Sequence, residues 1–426
     1  MKAKMTILFS LILLLIGCRV TKLGQFYFSE NHLKPKFPDN EIAFDENNIF
    51  SFAKGNEKTA NAISQLKYKP RPYKNKKGMT YPLDEYLDTQ TKTTAFLVIR
   101  NDTILFEKYY GGFDEQSLLP SFSVAKSFTS ALVGIAIQEQ FIKSEHDLVV
   151  DYLPELAEEH PYWKQLTIMQ LLNMRSGIDF NENNYINPYS GIASLYIAKD
   201  IMKFVKKAKF SHLPGQRNYY SSLDTEILGL IVERATKKSL AQYLEEKIWI
   251  PCGMESPAKW SMDSEQHQHT KAFCCLHMAA RDYARFGRLY LNKGKHGSQQ
   301  IINEDWMNQS ILPNFDNNCY QLQWRSKVNG TKGSVNENGD YEIQFYPDSL
   351  SALAAIEHAP FEGVARHQTD STKWLIKKCG PEFYALGIFG QEIFVNPEQQ
   401  LIFVRLGEKW DTPSRTLFQL ITETLE

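Results

Sequence analysis

Two β-hairpin patterns stand near opposite ends of the chain, and together they limit what it can fold into. The first runs Phe96-Leu97-Val98-Ile99-Arg100, turns at Asn101-Asp102 and returns as Thr103-Ile104-Leu105-Phe106-Glu107. The second covers residues 390–395, turns at Asn396-Pro397-Glu398 and returns as Leu401-Ile402-Phe403-Val404-Arg405. Runs of β-branched and aromatic residues broken by Asn, Asp or Pro are hairpin signals. Between them lie helical patterns at residues 123–140, 167–174, 225–236, 239–248 and 282–291, and another follows at 414–425. Hairpins from both ends with helices between them predict an α/β fold, an antiparallel sheet built from the two chain ends, flanked by helices and carrying an inserted helical lobe. With 426 residues, 43% of them hydrophobic, the chain can bury a sizeable core. Residues 326–340, rich in Gly, Asn, Lys and Ser, read as a surface loop.

The N-terminal residues carry an address. Lys2 and Lys4 precede an apolar run that ends Leu15-Ile16-Gly17-Cys18. The run is too short to span a bilayer core of about 30 Å as a helix, so residues 1–17 read as a signal peptide. A small residue before cysteine resembles the bacterial lipobox, which implies lipidation of Cys18 and a place in the cell envelope, tied to a membrane by lipid. Residues 18–80 are polar and irregular, with Pro70 and Pro72 among basic residues, and read as a tether to a domain at 81–426. The other cysteines, Cys252, Cys274, Cys275, Cys319 and Cys379, have no CxxC spacing and read as core residues, with one bridge left open. Lys plus Arg number 48 against 49 for Asp plus Glu, which argues against nucleic acid and for a small molecule or short peptide as the partner.

The residues able to carry chemistry fall in three segments. In Ser121-Phe122-Ser123-Val124-Ala125-Lys126-Ser127 the Ser123 and Lys126 side chains are one helical turn apart on one face. A serine hydroxyl needs a base to become a nucleophile, a lysine can serve, and a helix N-terminus offers N–H groups to a developing oxyanion. Taken alone, the pattern also fits a helix cap beside a solvated lysine. Next, Tyr219-Tyr220-Ser221-Ser222 leads from a turn into a helix and sets a phenol and a hydroxyl two residues apart. Last, Gly387-Ile388-Phe389-Gly390-Gln391 places glycines where a backbone can approach a ligand closely. His267 and His269 lack a third ligand at metal spacing and read as loop residues; HExxH, GxSxG and P-loop motifs are missing.

Three motifs in this order resemble the serine β-lactamase and penicillin-binding-protein superfamily, in particular its class C-like branch of 6-aminohexanoate-dimer hydrolases, esterases and D-aminopeptidases. Leu171-Leu172-Asn173-Met174-Arg175-Ser176-Gly177 and Arg281-Asp282-Tyr283-Ala284-Arg285-Phe286-Gly287 share the resemblance. It implies a β-lactamase/transpeptidase-like fold and a serine hydrolase that needs no cofactor. Ser123 would accept the acyl group, Lys126 and Tyr220 would share acid and base duties, Ser222 would position substrate or Lys126, and Gly390 and Gln391 would line the oxyanion site. A D-Ala-D-Ala carboxypeptidase, a β-lactamase and a silent binding lipoprotein of the same fold stay open. Ile388 and Phe389 depart from the family's cation and hydroxyl, so neutral acyl groups are expected to be preferred and β-lactams to be poor substrates. An arginine from elsewhere, such as Arg366, would have to supply a cation.

Overall fold

The computed structural model describes residues 37–70, 78–183, 187, 189–315, 317, 319–335, 341–357, 362–366, 372–409 and 415–425. Its centre is a nine-stranded sheet. Eight strands follow one another in the order Tyr320–Gln321, Trp324–Thr331, Trp374–Leu386, Glu392–Asn396, Leu401–Gly407, Thr93–Arg100, Thr103–Tyr109 and Ala53–Lys54, with Glu362–Arg366 pairing off the Trp374–Leu386 strand. All neighbours are antiparallel except Ala53–Lys54, which runs parallel to Thr103 and Ile104. Both expected hairpins form. In the first, Asn101 and Asp102 adopt φ of 50° and 58°, the left-handed geometry that lets a two-residue turn follow the twist of its strands.

Alternation along the central strands sorts their side chains onto two faces. Leu97, Ile99, Ile393, Val395, Ile402 and Val404 enter the larger core, with the helical lobe packed over it. Phe96, Val98, Phe394 and Phe403 enter a second core, closed by Leu417, Phe418 and Ile421 of the Arg415–Thr424 helix. At the middle of the lobe lies the helix Ala125–Gln138, buried along almost its whole length and set against Ser222–Thr236. A helix buried on nearly every side belongs in a core and not on a surface, and its polar residues, Lys126, Ser127 and Thr129, are hydrogen-bonded there.

Three expectations change. Residues 37–70 do not stand off as a tether. Asp39–Ile42 pairs with Ala258–Ser261, Ala53–Lys54 joins the main sheet, and Ile42, Ile63 and Tyr68 are buried. These strands are two to four residues long, too short to show a period. The loop expected at 326–340 is strand as far as Thr331 and again over Gly333–Val335. Up to Thr331 the backbone pairs, through two register shifts, with Trp374–Leu386, whereas Gly333–Val335 pairs with Tyr341–Ile343, and residues 336–340 lie outside the described residues. The cysteines form two bridges, Cys274–Cys275 and Cys319–Cys379, and Cys252 remains a buried thiol whose pKa burial pushes up to about 12. Residues 1–36, with Cys18, lie outside the described residues. Among the described residues no helix is long and apolar enough to cross a membrane.

Candidate active site

Ser123 sits in a single turn of 3-10 helix, Phe122–Val124, that runs directly into the Ala125–Gln138 helix. Lys126, one turn on, is buried, and its Nζ donates to Ser123 Oγ at 3.0 Å and to the Phe273 carbonyl at 3.0 Å. The pairing read from the spacing therefore exists as a contact. Burying an ammonium or amine costs free energy unless its hydrogens are placed, and these two acceptors place two of them.

The turn is pinned from behind by residues 271–277. Ser121 N–H donates to Leu276 O at 2.8 Å, Leu276 N–H donates to Ser121 Oγ at 3.2 Å, and Thr129 Oγ1 donates to Ala272 O at 2.9 Å. Phe122 is held at φ 43°, a left-handed conformation costly for a residue with a bulky side chain and one that recurs at functional sites. Its ring meets that of Phe389, also left-handed at φ 60°, edge-on with centroids 5.4 Å apart.

Phe389 belongs to the corner between Trp374–Leu386 and Glu392–Asn396, the third sequence motif. Gly387 makes the close approach there: a Cβ would stand 2.7 Å from Ser121 O and 3.1 Å from Ser123 N. Gly387 N–H donates to Gln391 O at 2.8 Å, and Gly390 N–H donates to Gly387 O at 3.2 Å. The Gly390 amide is thus used inside the corner. Gln391 turns its carboxamide away, donating to Gly407 O at 2.7 Å and accepting from Gly407 N–H at 3.0 Å. Ile388, next to Gly387, opens the short helix Ile388–Gly390, where a first N–H has no acceptor within its own turn. The fully buried Arg405 braces the corner by donating to the Phe389 and Gly390 carbonyls and to Thr91 O. Burial lowers its pKa to about 10.

Tyr220 precedes the Ser222–Thr236 helix, which Ser221 caps by accepting from Asp224 N–H at 3.3 Å. Lys126 Nζ lies 5.3 Å from the Tyr220 ring centroid, so the first and second motifs meet. Ser222 does not reach Lys126. Its hydroxyl donates to Glu182 Oε1 and its N–H to Glu182 Oε2, each at 2.8 Å, and both residues are buried. Neither Glu182 nor Arg405 was visible in the sequence as part of this region. Arg325 was missed too: its guanidinium stands 5.2 Å from the Tyr220 ring and 5.0 Å from that of Tyr320. Among the described residues no group of three His, Cys, Asp or Glu side chains could hold a metal ion.

Serine, lysine and tyrosine thus converge beside a strand corner whose backbone closely approaches that of Ser121 and Ser123. The profile of the Beta-lactamase family matches residues 82–425, the span holding all these parts. The chain belongs to the Beta-lactamase family. This Beta-lactamase family chain is similar to the 6-aminohexanoate-dimer hydrolase of Paenarthrobacter ureafaciens, with 29% identity over 52% of its own length and 58% of the relative's. A protein named as a D-alanyl-D-alanine carboxypeptidase in Escherichia coli is 22% identical over 40% of this chain and 44% of its own. The chain thus spans little more than half of the first relative and less of the second. Among solved structures, a Bacillus anthracis protein named after the same dimer hydrolase superposes with a TM-score of 0.68 at 23% identity, covering 95% of this chain and 93% of its own. A Bacteroides dorei protein named as a beta-lactamase gives 0.55 at 18% identity, covering 80% and 96%. Both show the β-lactamase fold.

Proposed function

We propose that this member of the Beta-lactamase family is a serine hydrolase that cleaves an ester or amide bond through an acyl-enzyme on Ser123. The observation that carries the reading is the 3.0 Å contact between a buried Lys126 amine and Ser123 Oγ, beside Tyr220. In its neutral form the amine accepts the hydroxyl proton while Oγ bonds to the substrate carbonyl carbon and the carbonyl electron pair moves onto oxygen. The Ser123 and Ile388 N–H groups stabilise that oxyanion. The proton passes by way of the Tyr220 phenol to the leaving oxygen or nitrogen, whose bond to carbon breaks, and Ser123 is left esterified. Water then adds to the ester carbonyl, the bond between that carbon and Ser123 Oγ breaks, the water's proton returns along the same path to Oγ, and the acid leaves.

Phe122, Ile388, Phe389 and Tyr196 pack together beside Ser123 and support a neutral acyl group. We also place the protein at a bacterial envelope membrane, held by lipid on Cys18. Ser123→Ala should abolish turnover of a short-chain nitrophenyl ester and labelling by a serine-directed phosphonate, with stability changed by about 1 kcal/mol, the size of one lost hydrogen bond. Labelling that persists in Ser123→Ala would remove Ser123 from the mechanism.

A further inference from the structure

The Cys274–Cys275 bridge joins neighbours, so it does almost nothing to confine the unfolded chain, and its consequences in the folded protein are local. Beside it lies the machinery of Ser123. Phe273, the residue before the bridge, offers its carbonyl to Lys126 Nζ at 3.0 Å. Leu276, the residue after it, accepts from Ser121 N–H at 2.8 Å and donates to Ser121 Oγ at 3.2 Å. The two cysteines are all that separates the contact to the base from the contact to the nucleophile turn.

Residues 271–275 belong to no helix or strand. The buried Trp260 donates its indole N–H to the carbonyls of Lys271 at 3.0 Å and Cys274 at 2.9 Å, and Ser261 N–H donates to Cys275 O at 3.1 Å. Cys275 stands at φ 67°, a left-handed conformation that a residue with a side chain keeps only where its surroundings fix the backbone. A bond between the side chains of neighbours closes a small ring with the peptide between them, and a small ring permits few backbone conformations. Here it supplies the restriction that a helix or strand would give elsewhere. Both cysteines are buried, which suits a bond that holds shape and not one that exchanges with other thiols. What it holds bears on proton transfer. When the Phe273 carbonyl takes one hydrogen of the neutral Lys126 amine, the lone pair is left to face the Ser123 hydroxyl. A drift of that carbonyl turns the amine away from the proton it must accept.

We propose that Cys274 and Cys275 are positioning residues for the hydrolytic reaction: bridged, they keep the Phe273 carbonyl and the Leu276 backbone in register, so that Lys126 faces Ser123. The bridge acts through Lys126 and the nucleophile turn. The proposal rests on the hydrolase reading, and the test separates the two.

The full chain carrying Cys274→Ser with Cys275→Ser is compared with the wild type on a short-chain nitrophenyl ester. Its kcat should fall roughly ten- to a hundredfold, since catalysis responds to misplacements of about 1 Å, while KM stays within about threefold. Labelling by a serine-directed phosphonate should slow with kcat, the Ser121 and Leu276 amides should exchange hydrogen faster, and the urea midpoint should move little. A second arm changes no residue. Wild type unfolded and refolded in a phosphine should show the same drop, and on reoxidation kcat should return as peptide mapping shows Cys274–Cys275 forming again. A folded protein without the bridge that keeps the wild-type kcat, a loss confined to KM, or a kcat that returns with Cys319–Cys379 instead would each overturn the proposal. Turnover that survives Ser123→Ala would overturn the hydrolase reading. Amide exchange needs no turnover and would then decide alone: faster exchange upholds the positioning role, and unchanged exchange overturns it.

Discussion

Asp224 shows how a single carboxyl group couples this site to pH. It is fully buried at the start of the Ser222–Thr236 helix and accepts from Ser176 Oγ at 2.7 Å. Burial pushes its pKa up to about 7 from 3.8, against the pull of Ser176 and Ser221. Between about pH 4 and pH 7 the folded protein therefore keeps a proton that the unfolded chain has released, and stability falls as pH rises through that window. Asp224→Asn should flatten the decline, read as urea midpoints across the window. Asp282, likewise pushed up to about 7 by burial, should leave part of it in place. Equal slopes in the two proteins would show that Asp224 does not hold that proton. At this scale the sequence revealed the Ser123–Lys126 contact, because it depends on helical spacing, while Tyr220, 94 residues from Lys126, was singled out by its resemblance to a known second motif. Glu182, Arg325 and Arg405 escaped it because their partners, Ser222, Tyr220 and the Phe389 corner, are 40, 105 and 16 residues away. Only the fold brings such residues together.

At the scale of elements, the corner after Trp374–Leu386 sets the position of the nucleophile turn. Gly387 has room for hydrogen only, and its φ of −117° is open to any residue, so a substitution there acts through space and not through backbone strain. Gly387→Ala should push the corner and the Ser121–Ser123 backbone apart and lower kcat at least tenfold, because catalysis is sensitive to misplacements of about 1 Å. The melting temperature should fall by only a few degrees. Unchanged kcat in a folded variant would show that the corner yields without disturbing Ser123. The hairpins were legible because alternation and a turn pair are local signals. The strand Trp324–Thr331 was not, because Arg325, Ser326, Lys327 and Asn329 look like a loop until a neighbour is present to pair with.

At the scale of the whole molecule, the two disulfides differ in the length of chain they close. Cys319–Cys379 joins residues 60 apart, and restricting that loop in the unfolded chain is worth up to about 4 kcal/mol in the chain-entropy account. Cys274–Cys275 joins neighbours and restricts almost nothing of that kind. Replacing Cys319 and Cys379 by serine should therefore cost about 2 to 4 kcal/mol in denaturant unfolding, and replacing Cys274 and Cys275 clearly less. Equal losses would count against a chain-entropy origin. Anchoring is tested by Cys18→Ser, which should move the protein from the membrane pellet to the soluble fraction; a protein that stays in the pellet is held by something other than lipid at that cysteine.

The strand Leu401–Gly407 lies between Glu392–Asn396 and Thr93–Arg100, joining the sheet's early and late halves. Translation runs in one direction, so the strand Leu401–Gly407 that joins the two halves leaves the ribosome about 300 residues after Thr93–Arg100. Until then Thr93–Arg100 shows an unpaired edge, apolar on both faces, the kind of edge that recruits wrong partners. A nascent chain of this design cannot settle half by half as it emerges. Whatever keeps the chain unfolded until its closing strand arrives keeps that edge from wrong partners.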